Sequence, residues 1–106
     1  MEVAAGLIFC EGKLLIAQRP AGGHLAGLWE FPGGKCETGE TLSECLQREL
    51  FEELGVAVNV SERVMTTTHA YPEKSVKLNF FLCQLVTGRP HGMDGQALAW
   101  ITSEDL

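Results

Sequence analysis

Leucines recur at every fourth position in the middle of the chain, at Leu42, Leu46, Leu50 and Leu54. On an α-helix this spacing places them on one stripe about 120° wide, which has to be buried against another layer of structure. Thr41 and Glu44 have the spacing of a capping box, and Gly55 stands where a helix C-cap is expected. The pattern therefore predicts an amphipathic helix that begins near Thr41 and ends before Gly55.

The rest of the chain is rich in segments typical of β-strands. Apolar and β-branched residues dominate residues 3–10, 14–19, 28–31, 56–71, 75–86 and 96–102, with turn signals between them. Residues 79–83 place apolar side chains on both faces, which favours a sheet covered on both sides. Residues 32–35 predict a loop, and residues 103–106 resemble the first turn of a terminal helix that is missing or truncated. We expect an α+β sandwich, a mixed sheet with at least one helix packed on it.

Length and charge restrict the possible partners. The 106 residues suit one domain, residues 1–106, and contents of 45% hydrophobic and 21% charged residues exclude intrinsic disorder. A net charge of −6 makes a nucleic-acid polymer a poor partner, because affinity for its phosphates comes from Lys and Arg. A single nucleotide is not excluded, since a bound cation can neutralise its phosphates. We expect a monomer.

The four cysteines are Cys10, Cys36, Cys45 and Cys83. None belongs to a CxxC pair, and three lie within apolar patterns, so the prediction is buried thiols that pack as small hydrophobes. A zinc site and a disulfide framework are the alternatives. No secretory signal or apolar membrane-spanning run is recognisable, which predicts a reducing, cytoplasmic location without membrane contact.

Three glutamates of the predicted helix, Glu49, Glu52 and Glu53, share one face because they stand at positions i, i+3 and i+4. This face borders the leucine stripe, so the carboxylates crowd together at the edge of the core. A solvated acidic face is one interpretation, but like charges at this spacing repel, and more strongly when partly desolvated. A hard cation such as Mg²⁺ would remove the repulsion, and a raised pKa on one glutamate is the alternative. Arg48 can reach Glu52 and Glu44 and would orient the carboxylates.

The spacing of these residues resembles the Nudix box. Gly34 is followed by five residues and Glu40, then by seven residues and the segment RELFEELGV at 48–56, which matches every defined position. Residues 17–20 and 26–35, and Asp94-Gly95-Gln96 followed by Trp100, are similar to the MutT-type branch. The resemblance implies a Nudix α/β/α sandwich whose catalytic loop-helix occupies residues 33–55.

The resemblance also implies an activity. MutT-like Nudix enzymes hydrolyse a nucleoside triphosphate to a nucleoside monophosphate and pyrophosphate, by attack of water at the β-phosphorus. They use Mg²⁺, for which Mn²⁺ can substitute. The implied role is sanitation of the nucleotide pool, with 8-oxo-dGTP, CTP or a modified pyrimidine nucleotide as substrate. The alternatives are a Nudix hydrolase for a dinucleoside polyphosphate or nucleotide sugar, and a non-catalytic Nudix-like recognition domain.

Roles in metal binding are implied for Glu49, Glu52, Glu53, the Gly33 carbonyl and Asp94. Glu49 is also a candidate for orienting or deprotonating the attacking water. Asp94 stands where an acidic residue of the family joins the metal site or acts as base. An ordinary Asp-Gly turn before the last strand is the other interpretation of Asp94.

The remaining implied residues support the site or contact the substrate. Arg48 and Glu40 are expected to hold the elbow between loop and helix. Four residues are expected to contact the substrate: Arg19, Phe31, Tyr71 and Lys74. Arg19 would contact phosphate or sugar, and the two aromatic residues would wall the base pocket. The alternatives are a surface arginine, core packing of Phe31 and a solvated lysine. The three histidines, His24, His69 and His91, form no ligand spacing and are assigned no role.

Overall fold

The computed structural model describes residues 1–20, 22 and 26–105 of the chain. In chain order the elements are β1 (Glu2–Cys10), β2 (Lys13–Gln18), β3 (Trp29–Glu30), β4 (Gly33–Lys35), α1 (Leu42–Leu54), β5 (Ala57–Ala70), β6 (Ser75–Thr87), β7 (Leu98–Ile101) and a 3₁₀ turn (Ser103–Asp105). His24, which has no predicted role, and Leu106, the end of the predicted terminal turn, lie outside the described residues.

Strand β1 is the centre of a mixed sheet. It runs parallel to β6, from the pair Glu2↔Lys77 to the pair Ile8↔Cys83, and β6 in turn pairs antiparallel with β5. The other edge of β1 is shared, because β4 pairs with its first half and β2 with its last residues. Strands β3 and β7 complete the sheet on β2. The predicted mixed α+β architecture is confirmed.

Helix α1 forms as its sequence predicts. Thr41 accepts a hydrogen bond from the Glu44 amide at 3.1 Å, the Glu44 carboxylate accepts one from the Thr41 amide at 2.9 Å, and Gly55 ends the helix at φ 69°. Three of the four leucines of the stripe are fully buried, while Leu42 is half-buried. They pack on core residues of the sheet, which include Ile8, Leu15, Val58 and Phe81.

The end of the chain departs from the prediction. Within the described residues α1 is the only α-helix, and it covers one face of the sheet, so the second covering layer is not seen in that part of the chain. Residues 103–105 form a single 3₁₀ turn, and the last strand is shorter than predicted. No helix in the described ranges is long and apolar enough to cross a membrane.

The prediction of a loop at residues 32–35 is wrong for its last three residues. Gly33 and Gly34 lie opposite Ala5 and Ala4 of β1 as part of β4. A side chain at Gly33 would overlap the backbone of Ala4, so the strand approaches β1 this closely only because the residue is glycine. The pairing of β4 with β1 places Gly34 beside α1.

Asn79 is fully buried in the sheet, although it lies in the stretch predicted to be apolar on both faces. Its Nδ2 donates to Glu2 Oε2 at 2.6 Å and to the Val3 carbonyl at 3.1 Å. Its Oδ1 accepts from Arg63 at 3.2 Å and from Thr66 at 3.3 Å. A buried amide is tolerated when all its hydrogen-bonding groups have partners, and these four tie β1, β5 and β6 together.

Three of the four cysteines contradict the prediction of buried free thiols. Cys36 follows β4 and Cys45 lies in the first turns of α1, with Cα atoms 5.2 Å apart, and they form a disulfide. Their spacing in the sequence does not predict this proximity, which arises because the loop between them folds back. Cys10 is free but exposed, whereas Cys83 is a buried thiol as predicted, and its burial raises its pKa to about 12.

Reduction of the Cys36–Cys45 bond should lower the free energy of unfolding by about 2–3 kcal/mol, because the bond restricts the unfolded chain across a short loop. Urea unfolding with and without dithiothreitol measures the difference. Cys36→Ser should have the lower stability and no response to reductant. Cys10→Ser, which changes an exposed free thiol, should keep the full response, and an unfolding curve of the unchanged protein that ignores reductant would contradict the assignment.

Candidate active site

Arg48 of α1 holds the loop before the helix against the helix itself. Its guanidinium donates to both carboxylate oxygens of Glu40, at 2.6 and 2.9 Å, and to the Lys35 carbonyl at 3.2 Å. Glu40 also accepts from the Glu37 amide at 2.8 Å. These hydrogen bonds, led by the one from Arg48, lower the pKa of Glu40 to about 2, and the pKa of Arg48 is raised in turn. The elbow predicted for Arg48 and Glu40 is thus present as a two-pronged ion pair.

Arg48 also contacts two of the three helix glutamates. Its Nη1 lies 3.1 Å from Glu49 Oε1 and 3.1 Å from Glu52 Oε1. The predicted contact with Glu44 does not form, because that carboxylate is used in the capping box at Thr41. Arg48 therefore orients part of the acidic face and leaves Glu53 without a cationic partner among the described residues.

Glu49 and Glu53 both line an open cavity of about 1170 Å³. The Glu53 pKa is raised to about 8, first by burial, then by the negative charge of Glu49 and, more weakly, of Glu30. A hydrogen bond from the Gly33 backbone opposes this rise. A raised pKa on one glutamate, which is one of the two explanations for the crowded carboxylates, thus follows from the burial of Glu53 beside Glu49.

The surroundings of Glu49 and Glu53 suit a divalent cation. Carboxylate and backbone oxygens are the ligands that hard cations prefer, and Glu53 has no cationic partner among the described residues that would compete with a bound cation. Gly34 lets β4 pass directly against the Glu49 carboxylate, since even a methyl group there would overlap it. The Gly33 backbone lies beside Glu53, and the role of its carbonyl as a ligand stays a prediction.

Two predicted metal ligands lie elsewhere. The Glu52 side chain is 52% exposed, is paired with Arg48 and does not line the cavity. Asp94 is exposed in the segment between β6 and β7 and does not line the cavity either. In residues 1–20, 22 and 26–105 no three side chains of the His, Cys, Asp and Glu types form a group that could hold a metal ion. The structure thus brings together Gly33, Glu49 and Glu53 and leaves Glu52 and Asp94 apart from them.

All four predicted substrate contacts line the same cavity: Arg19, Phe31, Tyr71 and Lys74. Arg19 is held by Glu30, since its Nε and Nη2 both lie 3.1 Å from Glu30 Oε2. Phe31 packs edge-on against Phe80 with ring centroids 6.1 Å apart. The cavity is therefore lined by acidic, basic and aromatic side chains together.

Two residues that line this cavity carry no predicted role, Glu30 and His69. Glu30 lines the cavity beside Glu53 and carries the partner charge of Arg19. His69, to which no role was assigned, also lines the cavity, with its ring centroid 4.4 Å from that of Tyr71. Alternation along β5 could have found His69, because positions 67, 69 and 71 face the same side of a strand.

The raised pKa of Glu53 has a consequence for stability in the absence of metal. Between about pH 4.5 and pH 8 the folded protein retains a proton on Glu53 that the unfolded chain has lost. Stability therefore falls as pH rises through this window. Denaturant unfolding in EDTA should show this decrease, and Glu53→Gln should weaken it. The exposed Glu62→Gln serves as the control and should preserve it, whereas an unchanged slope in Glu53→Gln would contradict the assigned pKa.

Gly34→Ala should displace the Glu49 carboxylate and weaken divalent-cation binding by at least about tenfold, as loss of a ligand's geometry can. The free energy of unfolding should change by less than about 1 kcal/mol, because the displaced group is the end of a flexible side chain. Gly39→Ala, in the loop that follows β4, is the control. Its methyl group meets open space but its φ of +91° strains the backbone, so it should lose stability and keep cation affinity. Calorimetric titration with Mg²⁺ or Mn²⁺ measures the affinity, and normal binding by Gly34→Ala would count against the site.

Comparison with proteins of known sequence gives a consistent result. The profile of the NUDIX domain matches residues 4–106. An 8-oxo-dGTP diphosphatase of Proteus vulgaris is 44% identical over 84 residues, which cover 77% of this chain and 74% of the relative. A CTP pyrophosphohydrolase of Escherichia coli K12 is 39% identical over 105 residues, which cover 99% of this chain and 78% of the relative.

Solved structures agree with the sequence relatives. The crystal structure of a MutT NUDIX hydrolase from Burkholderia pseudomallei superimposes with a TM-score of 0.89 at 25% identity, covering 99% of this chain and 84% of the other. The solution structure of the Escherichia coli ORF135 protein superimposes with a TM-score of 0.83 at 39% identity, covering 98% of this chain and 74% of the other. With the loop-helix elbow and the carboxylates of α1 in place, the chain belongs to the Nudix hydrolase family and is a pyrophosphohydrolase.

Proposed function

We propose that the protein is a Mg²⁺-dependent nucleoside triphosphate pyrophosphohydrolase of the MutT type that acts in sanitation of the nucleotide pool. Water attacks the β-phosphorus, and the products are a nucleoside monophosphate and pyrophosphate. The main support is that Glu49 and the partly buried Glu53 line the same cavity as Phe31 and Tyr71. The names of the relatives, 8-oxo-dGTP diphosphatase and CTP pyrophosphohydrolase, support a triphosphate as substrate.

Nudix hydrolases generally use a divalent metal ion. In this chain Glu49 and Glu53 would hold Mg²⁺, helped by the Gly33 carbonyl, and Mn²⁺ would fit the same oxygen ligands. Glu52 and Asp94 join this set in the proposal, which requires the Glu52 carboxylate to leave Arg48 and the exposed Asp94 carboxylate to turn toward Glu53. When bound, the cation neutralises phosphoryl oxygens and stabilises the charge that develops on them.

The remaining residues position the substrate and the water. Glu49 accepts a hydrogen bond from Arg48, which aims its carboxylate and leaves it available to orient or deprotonate the water. Arg19 and Lys74 contribute positive charge along the cavity for the phosphates. Phe31 and Tyr71 offer ring faces to the base, a contact worth roughly 1–3 kcal/mol.

The setting follows from the same chemistry. We propose that the protein is cytoplasmic, because its proposed substrate belongs to the intracellular nucleotide pool. We also propose that it is a monomer, in which the residues of one chain line the cavity. Polymeric nucleic acid is not a partner in this proposal, since the net charge is −6.

Steady-state kinetics over ordinary and oxidised nucleoside triphosphates tests the proposal, with monophosphate and pyrophosphate both identified. In H₂¹⁸O, attack at the β-phosphorus places the label in pyrophosphate and attack at the α-phosphorus places it in the monophosphate. EDTA should abolish activity and Mg²⁺ should restore it. A dinucleoside polyphosphate and a nucleotide sugar complete the panel, and preference for either would replace the triphosphate assignment.

Glu53→Gln should lower turnover by at least about 100-fold, because the amide cannot supply the negative charge that the cation needs. Glu62→Gln, which changes an exposed carboxylate outside the cavity, should leave turnover unchanged. The Mg²⁺-induced rise in melting temperature should likewise be smaller in Glu53→Gln than in the unchanged protein. Near-normal turnover in Glu53→Gln would remove the helix carboxylates from the mechanism.

A further inference from the structure

The segment between β6 and β7, residues 88–97, packs on the end of helix α1. The His91 amide donates to the Leu54 carbonyl at 3.2 Å, and the Met93 amide donates to the Glu53 carbonyl at 3.0 Å. The last carbonyls of a helix have no partners within the helix, so a neighbouring segment has to supply the donors. This loop therefore caps the last turn of α1 at the backbone carbonyls of Glu53 and Leu54.

Gln96 connects this helix end to Asp94. Its side-chain Nε2 donates to the Glu53 carbonyl at 3.2 Å, while its Oε1 accepts from the Asp94 amide at 2.9 Å. The side chain is half-buried, and its two hydrogen bonds use both ends of one planar amide. The planar amide of Gln96 thus links the backbone amide of Asp94 to the backbone carbonyl of Glu53.

The turn around Asp94 keeps the Gln96 side chain in this bridging position. The Gly95 amide donates to the Gly92 carbonyl at 3.0 Å, and Gly95 has a φ of +78°. A Cβ atom at Gly92 would overlap the Gln96 backbone and crowd its side-chain amide. The loop consequently closes tightly around Gln96, and a larger residue at position 92 would expel the bridge.

We propose that Gln96 is a positioning residue that sets Asp94 relative to the Glu53 carboxylate. This inference rests on the proposed function, in which Asp94 supplies an acidic group to the reaction. The Asp94 side chain lies outside the cavity, so its distance from the metal ligands depends on where the loop is fastened. Gln96 attaches the loop to the backbone of Glu53. In the proposed function the Asp94 carboxylate has to approach the carboxylate of this same residue.

Two substitutions separate the ends of the bridge. Gln96→Met keeps the length of the side chain and loses both hydrogen bonds. Gln96→Glu keeps an acceptor for the Asp94 amide, but it replaces the donor to the Glu53 carbonyl with a carboxylate oxygen. Gln47, an exposed residue on α1 with no side-chain hydrogen bond among the described residues, supplies the matched controls Gln47→Met and Gln47→Glu.

Amide hydrogen exchange of the metal-free protein tests the bridge without relying on activity. The Asp94 amide should exchange at least about tenfold faster in Gln96→Met and stay protected in Gln96→Glu. The Met93 amide reports loop docking and should exchange faster in both variants. An Asp94 amide that is equally protected in Gln96→Met and in the unchanged protein would overturn the bridge, whatever the substrate proves to be.

Kinetics then tests whether the bridge acts through Asp94. Gln96→Met should lower kcat about tenfold with KM changed less than twofold, and the Gln47 variants should be unaffected. In an Asp94→Asn background, Gln96→Met should lower kcat by less than a further twofold. If the two losses multiply, or if Asp94→Asn alone has normal kcat, Gln96 does not act through Asp94 and the proposal is overturned. Failure to hydrolyse any triphosphate would instead overturn the proposed function.

Discussion

The guanidinium of Arg48 is the interaction on which the loop-helix depends. It joins Glu40 in the loop, the Lys35 carbonyl at the end of β4, and Glu49 on its own helix. Charge-assisted hydrogen bonds of this kind are short and directional, so they fix orientation as well as distance. Lysine at this position would keep the charge and lose the geometry, since it has one nitrogen where arginine has three.

The site carries an electrostatic cost that the fold does not relieve by itself. The leucine stripe of α1 is buried against the sheet, and this burial brings Glu49 and Glu53 to the border of the core beside β4. Arg48 pairs with Glu40 and Glu49 and compensates their negative charges. Glu53 has no such partner among the described residues, and its pKa is raised. Arrangements of this kind are typical of functional sites, where stability is exchanged for readiness to bind a ligand.

Local patterns in the sequence predicted the parts of the fold that local contacts decide. The capping box at Thr41 and the left-handed Gly55 involve residues within one turn of each other, and both formed as predicted. The parts that failed depend on partners far along the chain. Gly33 and Gly34 are a strand only because β1 lies opposite them, and Cys36 and Cys45 meet only after the loop has folded back.

The same distinction applies to the site. Spacing on a helix placed Glu49, Glu52 and Glu53 on one face, but it could not tell which of them enter the cavity. Arg48 pairs with Glu52, which lies outside the cavity, and Gly34 leaves room for the Glu49 carboxylate that lines it. Glu30 gave no signal, since its importance comes from the pairing of β2 with β3 that puts it beside Arg19.

The central position of β1 has a consequence for the order of folding. Its parallel partner β6 begins at residue 75, whereas its antiparallel partner β4 occupies residues 33–35 and is much closer in sequence. Contacts as distant in sequence as those of β6 form slowly, because the chain loses loop entropy before it gains the pairing. The helix can form early from its own caps, and β4 can face Glu49 as soon as it has paired with β1. The core under the leucine stripe, which includes Phe81 and Cys83 of β6, is therefore completed in one of the last steps of folding.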